Sequence, residues 1–277
     1  MQHKGAHDLQ IIFAAARVAI SLAFLVYASW SDYKTREVSN RVWVAYAPIA
    51  LTLSLVELLL YEPSKMWLFG ISVGLTVAFA FLLFYSGGFG GADSKALMCI
   101  ALALPFFPTI LFTPLLPGSL SPISQMIFPI TILGNSVLVA ALSALYLLFR
   151  NLVRKASTEK PLFEGTLADE SIGKKILVIV TGQKFPIATL KAKWHVYPME
   201  DVMEEDGALK RKLVVVPKDE GRDEIVQRLS KAVDDGKIGS QVWATPGLPM
   251  LIFVTVGLII ALSLGDIVWF FVLHLFG

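Results

Sequence analysis

The chain has 277 residues, 55% of them apolar, and its 24 basic and 22 acidic side chains leave a net charge of +2. Apolar runs close to the ~20 residues a helix needs to cross a bilayer exclude an ordinary water-soluble protein. Nearly balanced charge argues against a nucleic-acid surface, and the single cysteine, Cys99, rules out an intrachain disulfide or a cysteine-based zinc ribbon.

Six apolar segments are predicted to cross the membrane as helices, because a backbone in lipid must satisfy its own hydrogen bonds. They cover residues 11–30, 41–61, 67–86, 95–116, 125–149 and 248–273. The first is interrupted by Arg17 and is followed by no small-residue cleavage site, so a cleaved secretory signal is not expected. It ends at Asp32, with Lys34, Arg36 and Arg41 just beyond. The third runs into Gly87-Gly88-Phe89-Gly90-Gly91-Ala92-Asp93-Ser94-Lys95, where glycines permit tight turns and close backbone approach. Pro105, Pro108, Pro114 and Pro117 predict that the end of the fourth segment is kinked or unwound. Arg150, Arg154 and Lys155 follow the fifth.

A polar block of charged composition then occupies residues 150–240. Runs rich in β-branched residues predict strands at 175–180, 186–191 and 212–216, and helical spacing of Ile225, Val226, Leu229 and Val233 predicts a helix over 223–233. The acidic run 200–206 reads as a solvated loop, since dense like charge repels. The expected architecture is therefore a membrane all-α protein: helices one to five in residues 1–149, a small cytoplasmic α+β domain in 150–240, and helix six in 241–277. Basic residues gather on alternate loops, so both termini are expected outside and those loops in the cytoplasm. His3, His7, His195 and His274 lack ligand spacing, and Cys99 suits buried packing, so no metal or other cofactor is expected.

Carboxylates inside a membrane are costly and mark functional sites by default. Four qualify here: Asp32, Glu57, Asp93 and Asp266. An even number of crossings separates Asp32 from Asp93, which places both at one face whichever way the molecule is inserted. Glu57 and Asp266 fall toward the opposite face, where Arg17 is available to neutralise either one. Two carboxyl groups brought together share a proton, so that one acts as base toward water while the other acts as acid.

Asp32 is followed after five residues by the triplet Val38-Ser39-Asn40, and Gly90-Gly91-Ala92-Asp93 matches Gly-x-Gly-Asp except at Ala92. Together these motifs resemble the prepilin peptidase family of aspartic membrane proteases, and most of all its archaeal preflagellin and type IV prepilin branch. The closing stretch Val242-Trp243-Ala244-Thr245-Pro246-Gly247-Leu248-Pro249 is similar to one such enzymes carry. The resemblance covers nearly the whole chain. It implies catalytic roles for Asp32 and Asp93, with Val38, Ser39, Asn40, Gly90, Gly91 and Ala92 shaping the site. It also implies prepilin-like or preflagellin-like precursors as substrates, with a basic leader in the cytoplasm and an apolar helix in the membrane lipid.

Two other readings remain open at this stage. A proton-coupled carrier or scaffold would place its acids near the midplane and repeat its halves, features not evident here. A protease of the presenilin or signal-peptide-peptidase type shares Gly-x-Gly-Asp but lacks the Val38-Ser39-Asn40 triplet.

Overall fold

The computed structural model describes residues 2–158, 161–205, 208–215, 221–247 and 249–276. The chain divides into two compact units, residues 1–140 with 249–277 and residues 141–248.

The first unit is helical. Its elements are α1 (Gln2–Thr35), α2 (Asn40–Tyr61), α3 (Met66–Tyr85), α4 (Gly91–Ala103), the short α5 (Pro122–Met126), the first part of α6 (Phe128–Ser157), α10 (Met250–Ser263) and α11 (Ile267–Phe276). Four helices among the described residues are long and apolar enough to cross a membrane: α1, α2, α3 with the 3-10 turn before it, and α6. A fifth span results if α10 and α11, bent by 60° at their junction, are taken as one. The expected segment 95–116 is helical only as far as Ala103. Pro105 and Pro108 follow at once; neither can donate the next helical hydrogen bond, and each crowds the preceding turn.

The ends of α4 explain how so short a helix is accommodated. It lies in the middle of the unit, with Ala96, Leu97, Ile100 and Ala103 fully buried against neighbouring helices. At its last turn Arg17 Nη1 donates to the Ala103 carbonyl at 2.9 Å, and Arg17 Nε meets Glu57 Oε2 at 2.8 Å. The guanidinium thus occupies the partly negative end of α4 and satisfies a carbonyl without a helical donor, since Phe107 N–H, which a continued helix would aim at it, donates to the Ser124 carbonyl instead. Beyond it, Phe106 to Ile110 line a small cavity of about 50 Å³ together with Glu62 and Lys65, which join α2 to α3. The stretch from Gly91 to Ile110 therefore runs from the Asp93 end of the unit to the opposite end, partly as helix and partly as irregular chain.

The junction of α10 and α11 has an equally local cause. Gly265 adopts a left-handed φ of 91°, and a Cβ there would collide with the Ser119 side chain. Asn135 donates to the Gly265 carbonyl at 2.9 Å and accepts from Ile267 N–H at 3.1 Å. Asp266 accepts from Trp269 N–H at 3.0 Å, from Ser121 Oγ at 2.6 Å and from Thr131 Oγ1 at 3.3 Å. Of the two acids expected to pair with Arg17, Glu57 does so, whereas Asp266 is held by hydroxyl groups and a helix N-terminus. A serine or threonine hydroxyl inside a membrane needs an acceptor, and the carboxylate provides it.

The second unit contains the end of α6, α7 (Ile172–Thr181), α8 (Ile187–Ala192), α9 (Arg222–Asp234) and five strands: β1 (Gln183–Pro186), β2 (Val196–Pro198), β3 (Glu200–Glu205), β4 (Ala208–Leu213) and β5 (Gln241–Pro246). An antiparallel sheet has the order β1-β5-β2, with Phe185 opposite Val242 and Tyr197 opposite Thr245, and β3 pairs with β4 as a hairpin. Leu190, Val202, Leu229 and Val242 form one core, and Leu167, Val178, Met199 and Trp243 another.

Three local expectations for this unit need correction. Residues 175–180 lie in α7, begun by a Ser171 side-chain cap, because a short apolar run fits a helix as well as a strand. Residues 187–191 belong to α8. The acidic run is the strand β3 rather than a loop: Glu200 is fully buried and pairs with Arg211 at 2.8 Å, while buried Asp201 pairs with Arg228 at 2.7 Å. Burial pushes the Glu200 carboxyl up and Arg211 pulls it back. Of the third expected strand, 212–216, only residues 212 and 213 lie in β4; 214 and 215 follow it outside the strand, and 216 lies outside the described residues, as does 206 of the acidic run. The helix expected over 223–233 is α9.

Candidate active site

Asp32 sits in the last turn of α1 and is partly buried. The helix stops because Arg36 takes a left-handed φ of 57°, its N–H still closing on the Asp32 carbonyl at 2.9 Å. Ser31 Oγ donates to the Glu37 carbonyl at 2.8 Å, which holds the turn against the helix it leaves. Val38 packs on the core of the helical unit, and Ser39 caps α2, accepting from Arg41 N–H at 3.4 Å. Asn40 is the first residue of α2.

Two helices, α2 and α3, carry the chain away and back before Asp93. The turn after α3 requires glycine at Gly87, whose φ is 75°, and both Gly88 and Phe89 donate to the Leu83 carbonyl. Asp93 is the third residue of α4, and its Oδ2 accepts from Gly90 N–H at 3.1 Å. A Cβ on Gly90 would stand only 3.1 Å from that oxygen, so glycine here leaves the carboxylate room to reach the backbone. Gly91 opens the helix with Phe84 nearby, and Ala92 lies within it. Ala92 has no left-handed φ. The departure from Gly-x-Gly-Asp at this position therefore imposes no backbone strain.

Asp32 and Asp93 thus lie at the same end of the helical unit. A direct bond ties the two segments together: Lys95 Nζ donates to Asn40 Oδ1 at 2.7 Å. Exposure of Lys95 to solvent is the sequence expectation; the residue is exposed along its length, yet its tip is engaged. Nothing in the sequence marks a partner 55 positions away. Among the described residues no hydrogen bond joins the two carboxyl groups.

The surrounding surface is aromatic. Trp30 and Tyr33 on α1 and Phe84 and Tyr85 on α3 are exposed, and Lys34 Nζ stands 4.0 Å from the Trp30 ring centroid. Such side chains, apolar in body and polar or cation-binding at the edge, suit a membrane boundary. Among the described residues, no three of the His, Cys, Asp and Glu side chains converge as a metal site would require.

Residues 19–148 match the model of the type IV leader peptidase family, and residues 174–267 match that of the archaeal peptidase A24 C-terminus, type II. The preflagellin peptidase of Methanococcus voltae is 28% identical over 254 residues, which is 90% of this chain and 94% of that protein. Those of Methanococcus maripaludis and Methanocaldococcus jannaschii are each 22% identical, covering 87% and 91% of this chain and 92% and 95% of theirs.

Proposed function

We propose that the chain is a leader peptidase of the type IV family, whose model matches residues 19–148, and that it removes the leader peptide of preflagellin-like and prepilin-like precursors, with Asp32 and Asp93 activating the attacking water. The observation that carries the proposal is the return of Asp93 to the Asp32 end after two membrane-length helices, where Lys95, two residues on, bonds to Asn40.

In this mechanism the dyad holds one proton. The ionised carboxylate takes a proton from water as its oxygen attacks the scissile carbonyl, and the protonated partner gives its proton to the carbonyl oxygen. Collapse of the tetrahedral intermediate breaks the C–N bond, and the carboxyl that took the water proton passes it to the departing amine. No covalent acyl-enzyme forms.

Six crossings complete the topology. Helices α1, α2, α3 and α6 supply four; α4 with the irregular chain to Ile110 supplies a fifth, and α10 with α11 a sixth. Lys34, Arg36, Arg41 and Lys95 then share the cytoplasmic face with Arg150, Arg154 and Lys155, and both termini lie outside. A boundary site of this kind suits a substrate whose basic leader is cytoplasmic and whose apolar segment lies among lipids.

The test is incubation of the protein in proteoliposomes with a precursor bearing a basic leader and an apolar segment, followed by N-terminal sequencing of the product. The expected new terminus lies at the start of the apolar segment. A cut inside that segment would assign the protein to the intramembrane type, and absence of any cut would remove the proposal.

A further inference from the structure

Helix α7 distributes its side chains in reverse for an element bathed in water. Ile172, Ile176 and Leu177 are 75%, 55% and 50% exposed, and with Gly173, Val180 and Thr181 they form an outward face that carries no charge. The two charged residues stand outside this stripe, each engaged at its tip: Lys174 pairs with Glu170 at 2.8 Å, and Lys175 Nζ donates to the Ala168 carbonyl. On the opposite side Val178 is fully buried. An exposed uncharged stripe flanked by lysines is what an apolar boundary selects.

The position of α7 identifies that environment. Buried Asn151 of α6 donates to the Ile179 and Gly182 carbonyls, each at 2.8 Å, and so holds the last turn of α7 against α6. About 20 residues from Phe128 bring α6 across the hydrocarbon, which puts Asn151 at the boundary. Around it Tyr146, Phe149, Leu152 and Val153 are exposed and apolar. The ten residues of α7 extend about 15 Å from this point. Arg150, Arg154 and Lys155 nearby complement anionic headgroups.

We propose that α7 is an interfacial helix, its Ile172-Ile176-Leu177 face inserted among the lipids of the leaflet from which α6 emerges. The proposal rests on the reading that α6 crosses the membrane, and not on the proteolytic assignment. It would anchor the residue 141–248 unit by a second point beside its covalent link.

The experiment uses the full chain carrying Cys99→Ser, with a single cysteine introduced at Ile172, Ile176 or Leu177. After labelling with an environment-sensitive fluorophore, the protein is placed in vesicles of anionic phospholipid. Nitroxides on lipid tails and iodide in water then serve as opposing quenchers. Labels at Ile176 and Leu177 should be quenched by the lipid nitroxide at least half as strongly as a label at Leu145 on α6. Iodide should quench them several-fold less than a label at Lys191 on α8. Iodide quenching equal to that at Lys191 would overturn the proposal, and so would protection from both quenchers, which would mean that protein covers the face. A Leu145 label untouched by lipid nitroxide would overturn the premise that α6 spans, whereas cleavage activity has no bearing on any arm.

Discussion

The two ends of the helical unit handle buried acid in opposite ways. At one end Glu57 is neutralised by Arg17, and Asp266 accepts two hydroxyl donors and a helix N-terminus. At the other, Asp93 accepts a single backbone N–H, and among the described residues no cation pairs with it. A membrane protein can make a carboxylate inert by giving it a cation or enough donors, or leave it able to exchange a proton by giving it neither. The contrast separates supports of the fold from candidates for chemistry more sharply than burial does, since all these residues are at least partly buried.

Substitutions at the two ends should fail in different ways. Asp93→Asn is expected to lower precursor cleavage by about 10²- to 10⁴-fold, the usual range for loss of a general acid or base, while thermal unfolding in detergent stays within error of the parent. Cleavage at the parental rate would remove Asp93 from the chemistry. Glu57→Gln should do the reverse, leaving the Arg17 charge buried without its partner and costing about 3 to 5 kcal/mol of stability, read as a lowered unfolding midpoint. The fraction that remains folded should cleave normally. An unchanged midpoint would mean that the Arg17 pair supports nothing.

A smaller effect concerns titration. In a dyad that shares one proton, Asp32→Asn deletes a like charge, so Asp93 should lose its proton at a lower pH than in the parent. The pH dependence of carbodiimide labelling at Asp93 reads this directly, and an upward or absent shift would mean that the two groups are not coupled. Smallest of all is Ala92→Gly, which restores the full Gly-x-Gly-Asp pattern. Because Ala92 sits in α4 without a left-handed φ, the change should leave the cleavage rate within about twofold and cost roughly 0.5 to 1 kcal/mol of stability. A large gain in rate would contradict the strain-free backbone there.

Where the amino-acid sequence was legible, a local rule decided the matter. Apolar length located α2 and α3 within a residue, and counting those crossings was enough to bring Asp32 and Asp93 to one end. Pro105 and Pro108 foretold the failing end of the fourth segment, although not that it would stop at Ala103. What escaped depended on distant partners. The acidic strand β3 is tolerated because Arg211 and Arg228 reach Glu200 and Asp201 from other elements, and the Lys95–Asn40 bond links helices far apart in the chain. Residues 175–180 read as a strand for a different reason: five β-branched and apolar residues after a lysine carry too little periodicity to separate the two structures, and the Ser171 cap that selects the helix lies outside the run.

The central claim is that Asp32 and Asp93 act as one unit on one water. Its most direct test compares the residual cleavage rates of Asp32→Asn, Asp93→Asn and the double variant in the same proteoliposomes, each confirmed as folded. Groups that work only together lose everything with the first removal, so all three proteins should sit at the same floor. A double variant far slower than either single, or a single variant retaining the parental rate, would contradict the shared mechanism.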